Sequence, residues 1–133
     1  MGTHSGIHAI NHVQLAFPVG AEAPIRHFYG ALLGLSEVRP PHRGALHFAA
    51  GRQRIDLVPA EHWQPQPAVS HLAFEVDDLP ALRSRLLAAE LPLVENSALP
   101  GYLRFYVKDP AGNQLEFLEP DAEFIHLDQG AAP

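Results

Sequence analysis

Gly44-Ala45-Leu46-His47-Phe48 and Gly101-Tyr102-Leu103-Arg104-Phe105 carry one pattern twice, at an offset of 57. Ile55-Asp56-Leu57 matches Leu115-Glu116-Phe117 at an offset of 60, and His12 matches His71 at 59. Offsets near 60 in a chain of 133 residues indicate a duplicated module of about half the length.

Outward from these pairs, each half reads as strand, helix, strand, strand, strand. In the first half the strands fall at 10–17, 36–39, 45–49 and 54–58, with alternation at Val13, Leu15 and Phe17. A helix is predicted over 24–35, where Ile25, Phe28, Tyr29, Leu32 and Leu33 recur at helical spacing, Pro24 suits the first turn and Gly34 stops it. In the second half the strands fall at 69–76, 93–95, 103–107 and 114–118. The helix over 79–89 is capped by Asp77 or Asp78 and has Leu79, Leu82, Leu86 and Leu87 on one stripe. Asp109-Pro110-Ala111-Gly112-Asn113 is a turn.

The expected fold is α+β: one domain over 1–133, built of two βαβββ modules whose curved mixed sheets surround a concave site, with one helix packed outside each. Module one spans about 8–60, a proline-containing joint about 61–68, module two about 69–120 and a tail 121–133. Phe124, Ile125 and Leu127 in the tail either dock or fray.

Composition narrows the function. The chain is 47% hydrophobic and 18% charged, as globular proteins are. A net charge of −6 leaves little to build a cationic face, so no nucleic-acid partner is expected. No apolar run approaches the roughly 18 residues of a membrane span. The absence of cysteine removes disulfides, zinc ribbons and thiol nucleophiles. The first residues lack a secretory pattern, so the cytoplasm is the expected compartment.

Within the repeat, His12 and His71 open equivalent strands, and Asp56 and Glu116 interrupt equivalent apolar ones. A charged group in such a strand is paired, metal-bound or outward-facing. Two imidazoles and one or two carboxylates form a ligand set for a divalent first-row metal with open positions, and Fe, Mn, Co, Ni and Zn all accept it. Occupancy falls in acid, because the ligands bind deprotonated. Each residue also has an ordinary reading, a hydrogen-bonded edge histidine or the outward face of an edge strand. His4 and His8 are read as part of an N-terminal arm. His47 and Arg104 are read as repeat mates, either contacting an anionic substrate or paired with carboxylates on the surface. Tyr102 and Trp63 either line a pocket or cover the core.

The duplication resembles the vicinal oxygen chelate superfamily, which includes glyoxalase I, bleomycin-resistance proteins, extradiol dioxygenases and fosfomycin-resistance enzymes. The likeness covers about residues 8–120 and rests on Ile10-Asn11-His12-Val13, on the run from Ser70-His71 to Asp77-Asp78-Leu79, and on the run from Asp109 to Pro120. It implies His12, His71 and Glu116 as metal ligands. Asp56 stands where glyoxalases usually carry a fourth carboxylate; it ligates, reaches the ion through water, or orients a ligand. The resemblance further implies a metal-dependent glyoxalase-like lyase or isomerase acting on a small oxygen-rich substrate. Glu116 is its candidate base; Arg104, Tyr102 and His47 are the candidate substrate contacts, with the alternatives given above. A homodimer is the implied assembly. Gln14 stands where fosfomycin-resistance enzymes usually have threonine. The alternatives are a metal-free sequestering protein of the bleomycin-resistance type and a single-unit extradiol dioxygenase.

Overall fold

The computed structural model describes residues 5–67, 69–96 and 99–123. His4, Ala68, His126 and the apolar tail positions Phe124, Ile125 and Leu127 lie outside the described residues. The chain forms two compact units that divide after Trp63.

In the first unit, β1 (His12–Pro18) is followed by α1 (Glu22–Arg26), which runs directly into a π-helical segment (His27–Leu32). Then come β2 (Ser36–Glu37), β3 (Leu46–Ala50) and β4 (Gln53–Ala60). The sheet order is β1-β4-β3-β2, with β1 parallel to β4 and the other pairs antiparallel. The expected 24–35 helix is thus present but is largely π-wound. Apolar spacing does not separate the two windings, because either one buries Ile25, Phe28 and Tyr29. Leu35 N–H returns to Tyr29 O at 3.0 Å, and Gly34, at φ +79°, makes the stop where a side chain would be strained. The Tyr29 ring stacks on Phe48 of β3 at 5.9 Å, which fixes the helix to the sheet.

The second unit repeats this plan with β5 (Leu72–Glu75), α2 (Leu79–Ala88), β6 (Val94–Glu95), β7 (Tyr102–Lys108) and β8 (Gln114–Pro120). Its order is β5-β8-β7-β6, again with the outer long strand parallel to the last one. Asp78 caps α2 by accepting the Ala81 N–H at 3.1 Å. Leu79, Leu82 and Leu86 are buried, and Phe117 packs on Phe74 and Phe105 at 5.4 and 5.6 Å. The 109–113 turn is built around Asp109. Its Oδ1 accepts the N–H groups of Ala111 and Asn113, each at 2.9 Å, and its Oδ2 accepts the Asn113 side-chain amide at 2.9 Å.

Several expectations are corrected. The first strand of each unit is shorter than the apolar run suggests: Ile10 is 66% exposed and Val69 is 84% exposed, so both precede the pairing. His71 therefore sits just before β5 rather than in it. Leu87 is about half exposed and leaves the α2 stripe: at about 100° per residue it lies roughly 80° round from Leu79 on the side away from Leu82 and Leu86. His47 and Arg104 are not equivalent. His47 lies opposite Asp56, whereas the residue opposite Glu116 is Tyr106, and Arg104 faces Leu118. A slip of two residues keeps every side chain on its face, so the apolar pattern cannot detect it.

The units also share a device the sequence reading passed over. Arg26 reaches Glu37 through Nε at 2.9 Å and Nη2 at 3.3 Å, and Arg83 reaches Glu95 through Nε at 2.9 Å and Nη2 at 3.1 Å. Each pair ties the unit's helix to its short edge strand.

Candidate functional site

Each unit buries one carboxylate in its last strand and surrounds it with an arginine and a histidine, but from different strands. In the first unit, Asp56 is flanked across the sheet by Gln14 of β1 and His47 of β3. Arg54, two residues earlier on the same strand face, binds it as a fork: Nε donates to Oδ1 at 2.7 Å and Nη2 to Oδ2 at 3.0 Å. His47 Nδ1 lies 2.7 Å from the same Oδ1. The Arg54 hydrogen bonds hold the Asp56 carboxyl at about 2, against the opposing effect of burial and with His47 adding to the depression. Both oxygens of Asp56 are thus occupied by a cation from its own strand. His12 opens β1 opposite Arg54, is exposed, and has Nδ1 2.8 Å from the side-chain oxygen of Asn11. Trp63 donates its indole N–H to the Ala16 carbonyl at 3.3 Å and so covers this unit's own edge.

In the second unit, Glu116 is flanked by Ala73 of β5 and Tyr106 of β7. His71 Nε2 lies 2.9 Å from Glu116 Oε1. Arg104 Nη1 donates to Glu116 Oε2 and to the Tyr106 hydroxyl, both at 3.2 Å, and its guanidinium lies 5.6 Å from the Tyr106 ring centre. The His71 ring meets Tyr106 edge-on at 5.5 Å. Tyr102, Arg104 and Tyr106 alternate along β7 and share one sheet face.

The second cluster brings together His71, Glu116 and Arg104 of the expected site residues. The first brings together His47 and Asp56. Arg54 and Tyr106 were missed. Arg54 had a readable signal, since residues two apart on a strand share a face. Tyr106 required the register.

The donor chemistry around His71 bears on a metal ion. Nδ1 lies 3.3 Å from the Val69 carbonyl oxygen, which accepts only. With the ring proton placed there, the Nε2 lone pair faces an ionised carboxylate oxygen across 2.9 Å. Two acceptors at that distance repel unless a proton or a metal ion lies between them. A second ring nitrogen bonded to a backbone carbonyl is the usual support of a metal-binding histidine. Two bonds of about 2.1 Å to one ion span such a separation. His71 and Glu116 therefore fit a shared divalent ion, whereas Asp56 is engaged by Arg54. Among the described residues, no group of three or more His, Cys, Asp or Glu side chains is gathered as a complete metal cage.

A two-unit fold with a buried carboxylate at the same place in each half defines a class, and the comparisons identify it. The chain belongs to the glyoxalase-like domain family, whose model matches residues 14–118. It is similar to a glyoxalase family protein from Bacillus anthracis, at 34% identity and a TM-score of 0.83, covering 90% of this chain and 100% of that one. It is also similar to lactoylglutathione lyase from Agrobacterium tumefaciens, at 27% identity and a TM-score of 0.69, covering 86% and 96%. The fold is shared with TnmS3, an antibiotic binding protein from Streptomyces sp. CB03234, at 22% identity and a TM-score of 0.67, covering 89% and 100%. No curated protein matches the chain. No helix among the described residues is long and apolar enough to cross a membrane.

Proposed function

We propose that this protein is a metal-dependent enzyme of the glyoxalase-like type, a lyase or isomerase acting on a small substrate that presents two neighbouring oxygens. The observation that carries this reading is the face-to-face approach of His71 Nε2 and Glu116 Oε1 at 2.9 Å, with the other ring nitrogen turned to a backbone carbonyl. Of the set His12, His71 and Glu116 implied by the resemblance, these two lie in one unit and have the geometry of a pair of ligands. A bound divalent ion of the Fe, Mn, Co, Ni or Zn group supplies a Lewis acid that offsets negative charge developing on a substrate oxygen. Arg104, which also donates to the Tyr106 hydroxyl, holds the Glu116 carboxylate through Oε2. Glu116 is the group that takes up and returns the substrate's proton, since it is the carboxylate not clasped by a two-pronged arginine. A homodimer in the cytoplasm remains the expected form.

A second reading has its own observation. Arginines pair with both buried carboxylates, as suits a metal-free sheet that sequesters an amphipathic compound. Metal analysis of protein purified without chelators and without a histidine tag separates the two. Stoichiometric metal in the wild type, with affinity lowered at least tenfold in His71→Ala and Glu116→Gln, supports the enzyme. Wild-type protein that stays empty and rejects added Mn, Fe, Co, Ni and Zn supports the binder.

A further inference from the structure

The rows of residues that cross the two sheets at the buried carboxylates correspond position by position. In the first unit the row is Val38, His47, Asp56, Gln14: the Val38 N–H donates to His47 O at 2.9 Å, and His47 and Gln14 lie opposite Asp56. In the second it is Val94, Tyr106, Glu116, Ala73. The structural counterpart of His47 is therefore Tyr106, the ring beside the His71–Glu116 pair. Residues paired in register point to one side of a sheet. Here that side is turned away from Phe48, on which Tyr29 stacks.

His47 is held there in a defined state. Its Nδ1 lies 2.7 Å from Asp56 Oδ1. Asp56 is 4% exposed and accepts both prongs of Arg54, which keep it ionised, with its carboxyl at about 2. An ionised carboxylate only accepts, so the proton of this bond sits on Nδ1, and the neutral ring carries its lone pair on Nε2. Nε2 makes no hydrogen bond among the described residues. It is not sealed either: among those residues Arg104 Nε is the only side-chain nitrogen or oxygen that is both buried and unpartnered, and the His47 side chain keeps 13% of its surface exposed. Apolar groups stand around it. Val38 is 48% exposed, and Ala49 and Val58, two residues along from His47 and Asp56 on the same face, are half-buried.

We infer that His47 Nε2 is the hydrogen-bond acceptor of a ligand site on this unit, and that its ligand is an uncharged hydroxyl compound with an apolar body, namely a phenol, an enol or an alcohol. A lone pair needs a donor, and a carboxylate or a fully ionised phosphate has none to give. An ammonium donor is repelled by Arg54 and gains little from Asp56, whose charge Arg54 already balances. A neutral O–H remains, with Val38 to pack against its carbon frame. The sequence alone allowed His47 an anionic partner; the carboxylate behind the ring reverses that preference. The site uses no metal ion and lies in the other unit from His71 and Glu116, so it stands independently of the proposed function.

The test uses the full chain labelled with 15N-histidine, in EDTA and at about pH 8, where ordinary imidazoles are neutral. Long-range 1H–15N correlation reads the tautomer of each ring, and His47→Phe identifies the His47 signals. Phenol is titrated first, then its methyl ether anisole, which has the same body and no donor. Expected are a proton on His47 Nδ1, a shift of the Nε2 resonance with phenol and not with anisole, and phenol bound about fivefold tighter, the worth of one hydrogen bond. In His47→Phe, which keeps a ring in place, the two compounds should bind alike. Asp56→Asn should let the two tautomers mix and lower the preference for phenol, a response that lost packing alone does not produce. A proton already on Nε2, or phenol and anisole that act alike on the wild-type ring, overturns the inference. Since EDTA removes any ion, neither result bears on the metal assignment at His71 and Glu116, which metal analysis decides separately.

Discussion

Asp56 and Glu116 occupy matching places, yet their surroundings differ by one hydrogen bond that matters. Asp56 receives two prongs of Arg54, while Glu116 receives a single contact from Arg104 and faces His71. With its folded carboxyl at about 2, below the ordinary aspartate value, Asp56 adds stability that is present above about pH 4 and lost as pH falls through 2. Its worth is on the order of 1 kcal/mol, because Arg54 is 27% exposed and solvent screens the pair. Asp56→Asn should therefore lower stability by about 1 kcal/mol at pH 7, with the difference closing towards pH 2; urea unfolding at the two pH values checks both the size and the trend. The two carboxylates were legible in the sequence because each interrupts an apolar strand. The pairing of Arg54 was legible too, from its two-residue spacing to Asp56, but that of Arg104 with Glu116 was not. Arg104 meets Glu116 only through the register of β7 on β8, and nothing in the composition of Tyr102–Lys108 fixes that register.

At the scale of elements, strand and helix order was readable from period and punctuation, and the ends were not. Apolar residues run past the pairing at Ile10 and Val69, where exposure replaces burial. The π winding of His27–Leu32 is invisible for the reason that α and π turns bury nearly the same positions there. The turn from Asp109 to Asn113 shows the opposite case, in which a sequence cluster specifies geometry almost by itself. Asp109 is 4% exposed and answers three donors of the turn that leads β7 into β8. Asp109→Ala leaves buried N–H groups unpaired and should cost about 2–3 kcal/mol, measured by chemical denaturation. A loss under 0.5 kcal/mol would show that the turn is held by backbone preference alone. Because the same strand β8 carries Glu116, this variant should also weaken metal binding if the site is where we place it.

At the scale of the molecule, the duplication gives two units the same sheet order and the same helix-to-edge-strand ion pair, while their polar clusters have diverged. The first is closed on itself by Arg54. The second pairs its carboxylate with an imidazole nitrogen at 2.9 Å and with a single arginine contact at 3.2 Å. A ligand that binds only the native chain stabilises it by mass action, about 3 kcal/mol at a hundredfold excess over Kd. Added Mn(II) or Zn(II) should thus raise the melting temperature of the wild type by several degrees. Glu116→Gln should abolish the shift and Asp56→Asn should retain it, since only Glu116 has an oxygen free of a two-pronged arginine. A shift that disappears in Asp56→Asn and persists in Glu116→Gln would assign the ion to the wrong carboxylate.

The most direct measurement is anomalous scattering at the metal edge from a crystal of untagged protein. The account predicts one strong peak within bonding distance of both His71 Nε2 and a Glu116 carboxylate oxygen, with the Asp56–Arg54 fork intact. A map with no peak there, and a protonated His71 bonded straight to Glu116 in a crystal grown with excess Mn(II) or Zn(II), would contradict it.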